Sequence, residues 1–105
     1  MKRQIIPDDA RVYFVMTPLI ITDIRAYEIA YNSGIGKAGA KLKITAERAD
    51  GLIVNDECYV GEDGVVSYTL HNNMHAVPGR LKVDLQFIKN GSQLTDKTLY
   101  FMVVN

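Results

Sequence analysis

Two histidines stand four residues apart, His71 and His75, and the single cysteine, Cys58, lies upstream of them. Imidazole nitrogen and thiolate sulfur are the ligands a zinc ion prefers, and on a helix a four-residue spacing would put both histidines on one face. Here the histidines flank Asn72-Asn73-Met74 in a polar run with no further ligand at a persuasive spacing, so the reading is solvated loop histidines and no metal. Asn32 to Gly39 holds three glycines and Lys37, an outline of a phosphate-cradling loop. A P-loop, however, needs a glycine five positions before Gly36 and a hydroxyl residue after Lys37; Tyr31 and Ala38 stand there. With no following helix to face an anion, the stretch reads as a connection between strands.

No catalytic set assembles on paper. Ser67 sits inside a strand pattern, without the sharp strand-to-helix turn that exposes a nucleophile. The carboxylates Glu57, Glu62 and Asp63, and the pair Asp23 and Glu28, read as solvated strand ends. With no nucleophile, base and orienting partner to name together, the expectation is a protein without enzymatic activity and without a cofactor. Asn90-Gly91-Ser92 matches a glycosylation acceptor, and hairpin-turn chemistry accounts for it fully.

Contact chemistry is the other possibility. There are six tyrosines and no tryptophan. Tyrosine suits interfaces because it buries area and keeps a polar tip, and it is also an ordinary strand residue. Most of the six read as sheet filler. Tyr27 and Tyr31, in the least regular segment, are the expected contact residues, joined by Ile35 and Lys37 of the glycine loop and by His71 and His75 of the later loop.

The elements that must position these residues are strands. Asp50-Gly51, Asp63-Gly64, Pro78-Gly79 and Asn90-Gly91 are turn dipeptides, and Asn-Gly and Asp-Gly tolerate the positive φ angles of tight hairpins. Between them, Leu81, Val83, Leu85 and Phe87 alternate with Arg80, Lys82, Asp84 and Gln86, the period of a strand with one dry face. Ala40, Leu42, Ile44 and Ala46 repeat the pattern. Residues 1–10 read as a leader strand or arm stopped by Pro7-Asp8-Asp9. Val12 to Met16 reads as a buried strand, and Leu19 to Tyr31 as one further strand. Leu52 to Val60 and Val65 to Leu70 are strands, His71 to Pro78 a loop, Asn90 to Lys97 a turn and spacer, and Leu99 to Val104 a central strand, apolar on both faces. About seven or eight short strands with turns every 8–12 residues predict a single-domain, all-β, Ig-like antiparallel sandwich.

Composition narrows the function classes. Of 105 residues, 48% are hydrophobic, enough for a core in one domain. Lysine plus arginine and aspartate plus glutamate number 12 each; with no basic excess or stripe, nucleic acid is not the expected partner. One cysteine permits no intrachain disulfide and fits a reducing compartment. Pro7-Asp8-Asp9 and Arg11 interrupt any signal-like apolar region, and the longest apolar run, Val12 to Ile21, is about half of the ~20 residues of a membrane helix. The expectation is a soluble protein made in the cytoplasm, with no membrane partner.

The second half resembles the N-terminal domain of phage baseplate upper proteins. The matching residues are Asp50-Gly51, the Gly64-Val65-Val66-Ser67-Tyr68-Thr69-Leu70 strand, Pro78-Gly79, the alternating Leu81 to Phe87, Gly91, and the closing Phe101-Met102-Val103. The first half departs from that pattern: Asp23 stands in for an early Asp-containing turn, and Asn32 to Gly39 does not look like the family's Leu-centred turn. The resemblance implies a structural role in a phage or prophage tail or baseplate, docking onto other tail proteins; separately, the zero net charge favours association, with a homo-oligomer as an option. The resemblance also implies a virion component made in the host bacterial cytoplasm and, with the chain stopping after the closing strand, the docking domain alone. A carbohydrate-binding or adhesin sandwich is the alternative.

Overall fold

The computed structural model describes all residues, 1–105. Nine strands form: β1 (Lys2–Ile5), β2 (Val12–Phe14), β3 (Leu19–Ile20), β4 (Tyr27–Asn32), β5 (Lys41–Glu47), β6 (Ile53–Tyr59), β7 (Val65–Thr69), β8 (Gly79–Lys89) and β9 (Ser92–Val104). Short 3-10 turns at Ile35–Lys37 and Asn72–His75 are the only helical pieces. One sheet runs β1-β4-β7 and the other β2-β9-β8-β5-β6, with β3 following β2 along the same side of β9. The two pack face to face as a sandwich.

The alternating runs do what their period requires. Leu42, Ile44 and Ala46 of β5, Leu81, Val83 and Leu85 of β8, and Leu99, Phe101 and Val103 of β9 are buried against Tyr27, Ile29 and Tyr31 of β4 and Val66 and Tyr68 of β7. Each fully buried large apolar side chain contributes about 1.5–3 kcal/mol relative to exposure, so this interlayer contact holds the two sheets together. Asn90 (φ 52°) and Gly91 (φ 81°) both take left-handed backbone and join β8 to β9 with Lys89 opposite Ser92. That two-residue turn is what Asn-Gly favours. Gly64 is constrained twice: its φ is +81°, and a Cβ there would lie 2.5 Å from the carbonyl of Gly34.

Four expectations need correction. The sandwich is not purely antiparallel: β1 runs parallel to β4, and β2 and β3 run parallel to β9. The N-terminal segment contributes β1 to one sheet and β2 to the other, a pairing across the chain that no local turn signals. The first residues are accordingly a strand held in place: Ile6 is buried and its N–H donates to the Ala30 carbonyl (2.9 Å).

Leu19 to Tyr31 is two strands in different sheets, parted by a turn in which Arg25 takes φ 46°. Val12 to Met16 is an edge rather than a buried strand; Val15 turns inward, while Val12, Phe14 and Met16 are exposed. Finally, residues 92–97 belong to β9. Register changes from Gln86–Thr95 to Leu85–Lys97, so Asp96 is the extra residue of a bulge, and the bulge is what hid the strand's period.

Candidate functional site

Three of the six expected contact residues are in the core. Tyr27 and Tyr31 are buried, and so is His75, which corrects their reading as surface groups. The tyrosines are anchored at their polar tips. Tyr27 donates to Asp23 Oδ2 (2.7 Å) and accepts from the Ile20 N–H (2.9 Å); Tyr31 donates to Asp96 Oδ2 (2.7 Å), and Tyr68 to Asp56 Oδ2 (2.7 Å). Three of these bonds, Ile20–Tyr27, Tyr31–Asp96 and Tyr68–Asp56, cross between the sheets. Burial first, then the adjoining aspartate, pushes all three phenols above their ordinary pKa, so they are fixed donors and not acids.

His75 lies edge-on to the Tyr27 ring (centroids 5.5 Å, 87°), and neither ring nitrogen has a hydrogen-bond partner. Desolvation lowers its pKa. His71 is exposed, and its Nδ1 accepts from the Asn73 N–H (3.2 Å), capping the 3-10 turn. Nowhere do three metal-ligating side chains converge. Cys58 is half-buried, and desolvation aided by Asp56 raises its thiol to about 11, which leaves it protonated and unreactive at neutral pH. Ile35 and Lys37 are exposed, as expected. The Gly34 N–H of that loop is satisfied by Asn32 Oδ1 (2.8 Å), a turn stabilised from within.

The feature that stands out is an exposed apolar cluster on strands whose hydrophobic runs predict interior positions. Register places Phe14 of β2 beside Tyr100 of β9, and Met102 of β9 beside Arg80 of β8, all with side chains on the outer face of the larger sheet. Phe14 is 56%, Met102 53% and Met16 88% exposed. The Phe14 and Tyr100 rings stack (centroids 4.9 Å, 16°), and the Arg80 guanidinium sits 4.4 Å from the Tyr100 centroid. Together these residues line an open groove of about 450 Å³ with almost wholly apolar walls.

Elsewhere the same face is largely polar, with Ile53 and Tyr59 of β6 as separate exposed apolar side chains. Lys41 pairs with Glu57 (2.9 Å), Thr98 donates to Asp84 (2.6 Å), and Gln86 donates to Thr95 (3.2 Å). The Phe14–Met16–Tyr100–Met102 cluster is the contiguous apolar patch of this face, the kind of feature that binding surfaces present. Its lining is Phe14, Val15, Met16, Tyr100, Phe101 and Met102 with Arg80 as the one charged side chain. Two runs apolar at both periods, Val12 to Met16 and Leu99 to Val104, were the signal: a strand at or near an edge cannot bury both of its faces.

No protein-family model matches this chain, and no curated protein matches it. Among solved structures, it is similar to the N-terminal domain of phage TP901-1 ORF48, at 12% identity and a TM-score of 0.63, with all of both chains covered. What is shared is the fold. It is also similar to a tetra-tandem repeat in the extending region of a large adhesion protein, at 24% identity and a TM-score of 0.53 over 63% of this chain. The present chain spans 17% of that one. No helix is long and apolar enough to cross a membrane.

Proposed function

We propose that this chain is a non-enzymatic assembly module of a phage or prophage tail, a virion component that docks other tail or baseplate proteins through the Phe14–Tyr100 face. The observation that carries the reading is the exposed cluster of Phe14, Met16 and Met102 around a stacked aromatic pair. Aromatic and methionine side chains with arginine are what protein interfaces concentrate at their centres. The end-to-end likeness to a phage domain supports the setting, as does the turn-and-strand resemblance to baseplate upper proteins. The test is binding of purified protein to the tail proteins encoded beside it, measured by calorimetry. Phe14→Ser with Met102→Ser is expected to weaken the complex at least about tenfold, since interface anchors of this kind each carry about 2 kcal/mol or more. Absence of affinity for every neighbouring tail protein overturns the reading.

A second reading, an adhesin or carbohydrate-binding domain, is favoured by the likeness to the adhesion-protein repeat and by the exposed aromatic pair. Signal on a glycan array that is lost in Phe14→Ser would move it to first place.

A further inference from the structure

Arg80 is the odd member of the apolar cluster. It is exposed, its guanidinium lies against Tyr100 (4.4 Å) and Phe14 (5.9 Å), and that guanidinium makes no hydrogen bond or ion pair with any residue of the chain. Of its charged neighbours, Lys82 lies 3.9 Å from Asp84 and Arg48 pairs with Asp50, while Glu47, which lines the adjoining depression with Arg80 and Tyr100, reaches no ion pair with Arg80. A guanidinium held against a ring keeps its N–H fork free for a planar, two-oxygen acceptor. The groove offers apolar walls and one charged residue, Arg80, whose guanidinium makes no ion pair within the chain.

Beside it runs an unpaired backbone. The Arg11 carbonyl accepts from Thr98 and the Val15 N–H donates to Tyr100, so the odd-numbered residues of this segment face β9. Alternation then turns the N–H and C=O of Val12 and Phe14 outward, toward nothing in the chain. The continuation is closed to strand addition: Pro18 has no N–H, and the Ile20 N–H is taken by the Tyr27 hydroxyl. Only a short docking edge is left.

We infer that the partner is a protein presenting a short extended segment in which a carboxylate neighbours a large apolar side chain. Its backbone pairs with Val12 and Phe14, its apolar side chain fills the groove between Met16 and Met102, and its carboxylate meets Arg80. This inference rests on the docking role of the face and adds the chemistry of the partner. Backbone pairing supplies affinity without sequence preference, and the Arg80 contact supplies selectivity.

The experiment is selection of a display library of random short peptides on the purified protein, repeated on Arg80→Glu. Arg80 is exposed, so both proteins are expected to fold, which thermal melting checks. On the wild-type chain, enriched peptides are expected to carry Asp or Glu within two positions of Phe, Leu, Ile or Met. Replacing that carboxylate by its amide is expected to weaken binding about tenfold, the scale of a charge-assisted contact. On Arg80→Glu the selection is expected to turn to lysine or arginine. Enrichment of apolar peptides without an acid, insensitive to Arg80→Gln, overturns the carboxylate and leaves the docking face standing. An empty selection overturns the inference as well, and the calorimetry with tail neighbours then decides the docking role by itself.

Discussion

The ammonium of Lys97 lies 4.8 Å from the centroid of the Tyr31 ring, in the interior of the sandwich. Lys97 is 3% exposed and donates to the carbonyls of Asp8 (3.0 Å) and Ala10. The bulge at Asp96 brings this about: it resets the alternation so that Lys97 takes an inward position opposite Leu85, while Asp96 receives the Tyr31 hydroxyl. One irregularity thus clamps the Pro7–Ala10 crossover, the segment that carries the chain from β1 to β2 and places Phe14. Lys97→Met keeps the apolar stem and loses the two carbonyl contacts, so it is expected to cost about 1–2 kcal/mol. Lys97→Ala adds a cavity and is expected to cost about 2–4 kcal/mol. Urea unfolding of the two variants measures both; a Lys97→Met protein more stable than wild type would show the clamp to be a burden.

His75 makes stability depend on pH. It is 0% exposed and its pKa is lowered by desolvation; the backbone of Ile20, then that of His75 itself and the Asp23 carboxylate oppose that shift more weakly, with His71 adding to it. In the unfolded chain the imidazole binds its proton near pH 6.5. Between that value and the lower folded one, the unfolded state holds more protons. The stability is therefore fully present above about pH 6.5 and is lost as pH falls, at no more than about 1.4 kcal/mol per pH unit. The urea midpoint is expected to fall between pH 7 and pH 5, and His75→Leu is expected to flatten this slope. An unchanged slope in His75→Leu assigns the pH dependence to other groups.

Gly64→Ala is expected to destabilise by about 2–4 kcal/mol, because a methyl group there meets the Gly34 backbone at 2.5 Å on a left-handed residue. Gly36→Ala is its control. A Cβ at Gly36 meets nothing within 4 Å, and that change is expected to stay within about 0.5 kcal/mol. Thermal melts of the pair check the contrast.

Removing the Tyr27 hydroxyl strips the Ile20 N–H of its acceptor and Asp23 of its donor. Tyr27→Phe is expected to cost about 1–3 kcal/mol, the loss of a part-buried pair of bonds. Amide exchange at Ile20 should quicken with it; slow exchange in the variant would mean that another acceptor has taken over.

Much of the architecture was readable before any coordinates. The β8 strand, Gly79–Lys89, and the β5 strand, Lys41–Glu47, follow from clean alternation, and the Asn90-Gly91 and Asp50-Gly51 turns from residues that accept positive φ. These are local matters: neighbouring residues and backbone sterics decide them, so the chain states them by itself. Which strand lies beside which is not local. That β1 pairs with β4, that β2 runs along an edge, and that the Asp96 bulge turns Lys97 inward all depend on surfaces brought together from distant parts of the chain.

The same division applies to the site. Residue type marked Tyr27, Tyr31 and His75 as contact residues, but an aspartate waiting for each tyrosine hydroxyl, or a loop folding His75 beneath it, cannot be seen from spacing. Conversely, the apolar run Val12 to Met16 looked like core because hydrophobicity says only what would gain from burial. Whether a second layer exists to cover both faces is settled by tertiary packing. Here one face of that run was left uncovered, and Phe14, Met16, Tyr100 and Met102 became a surface.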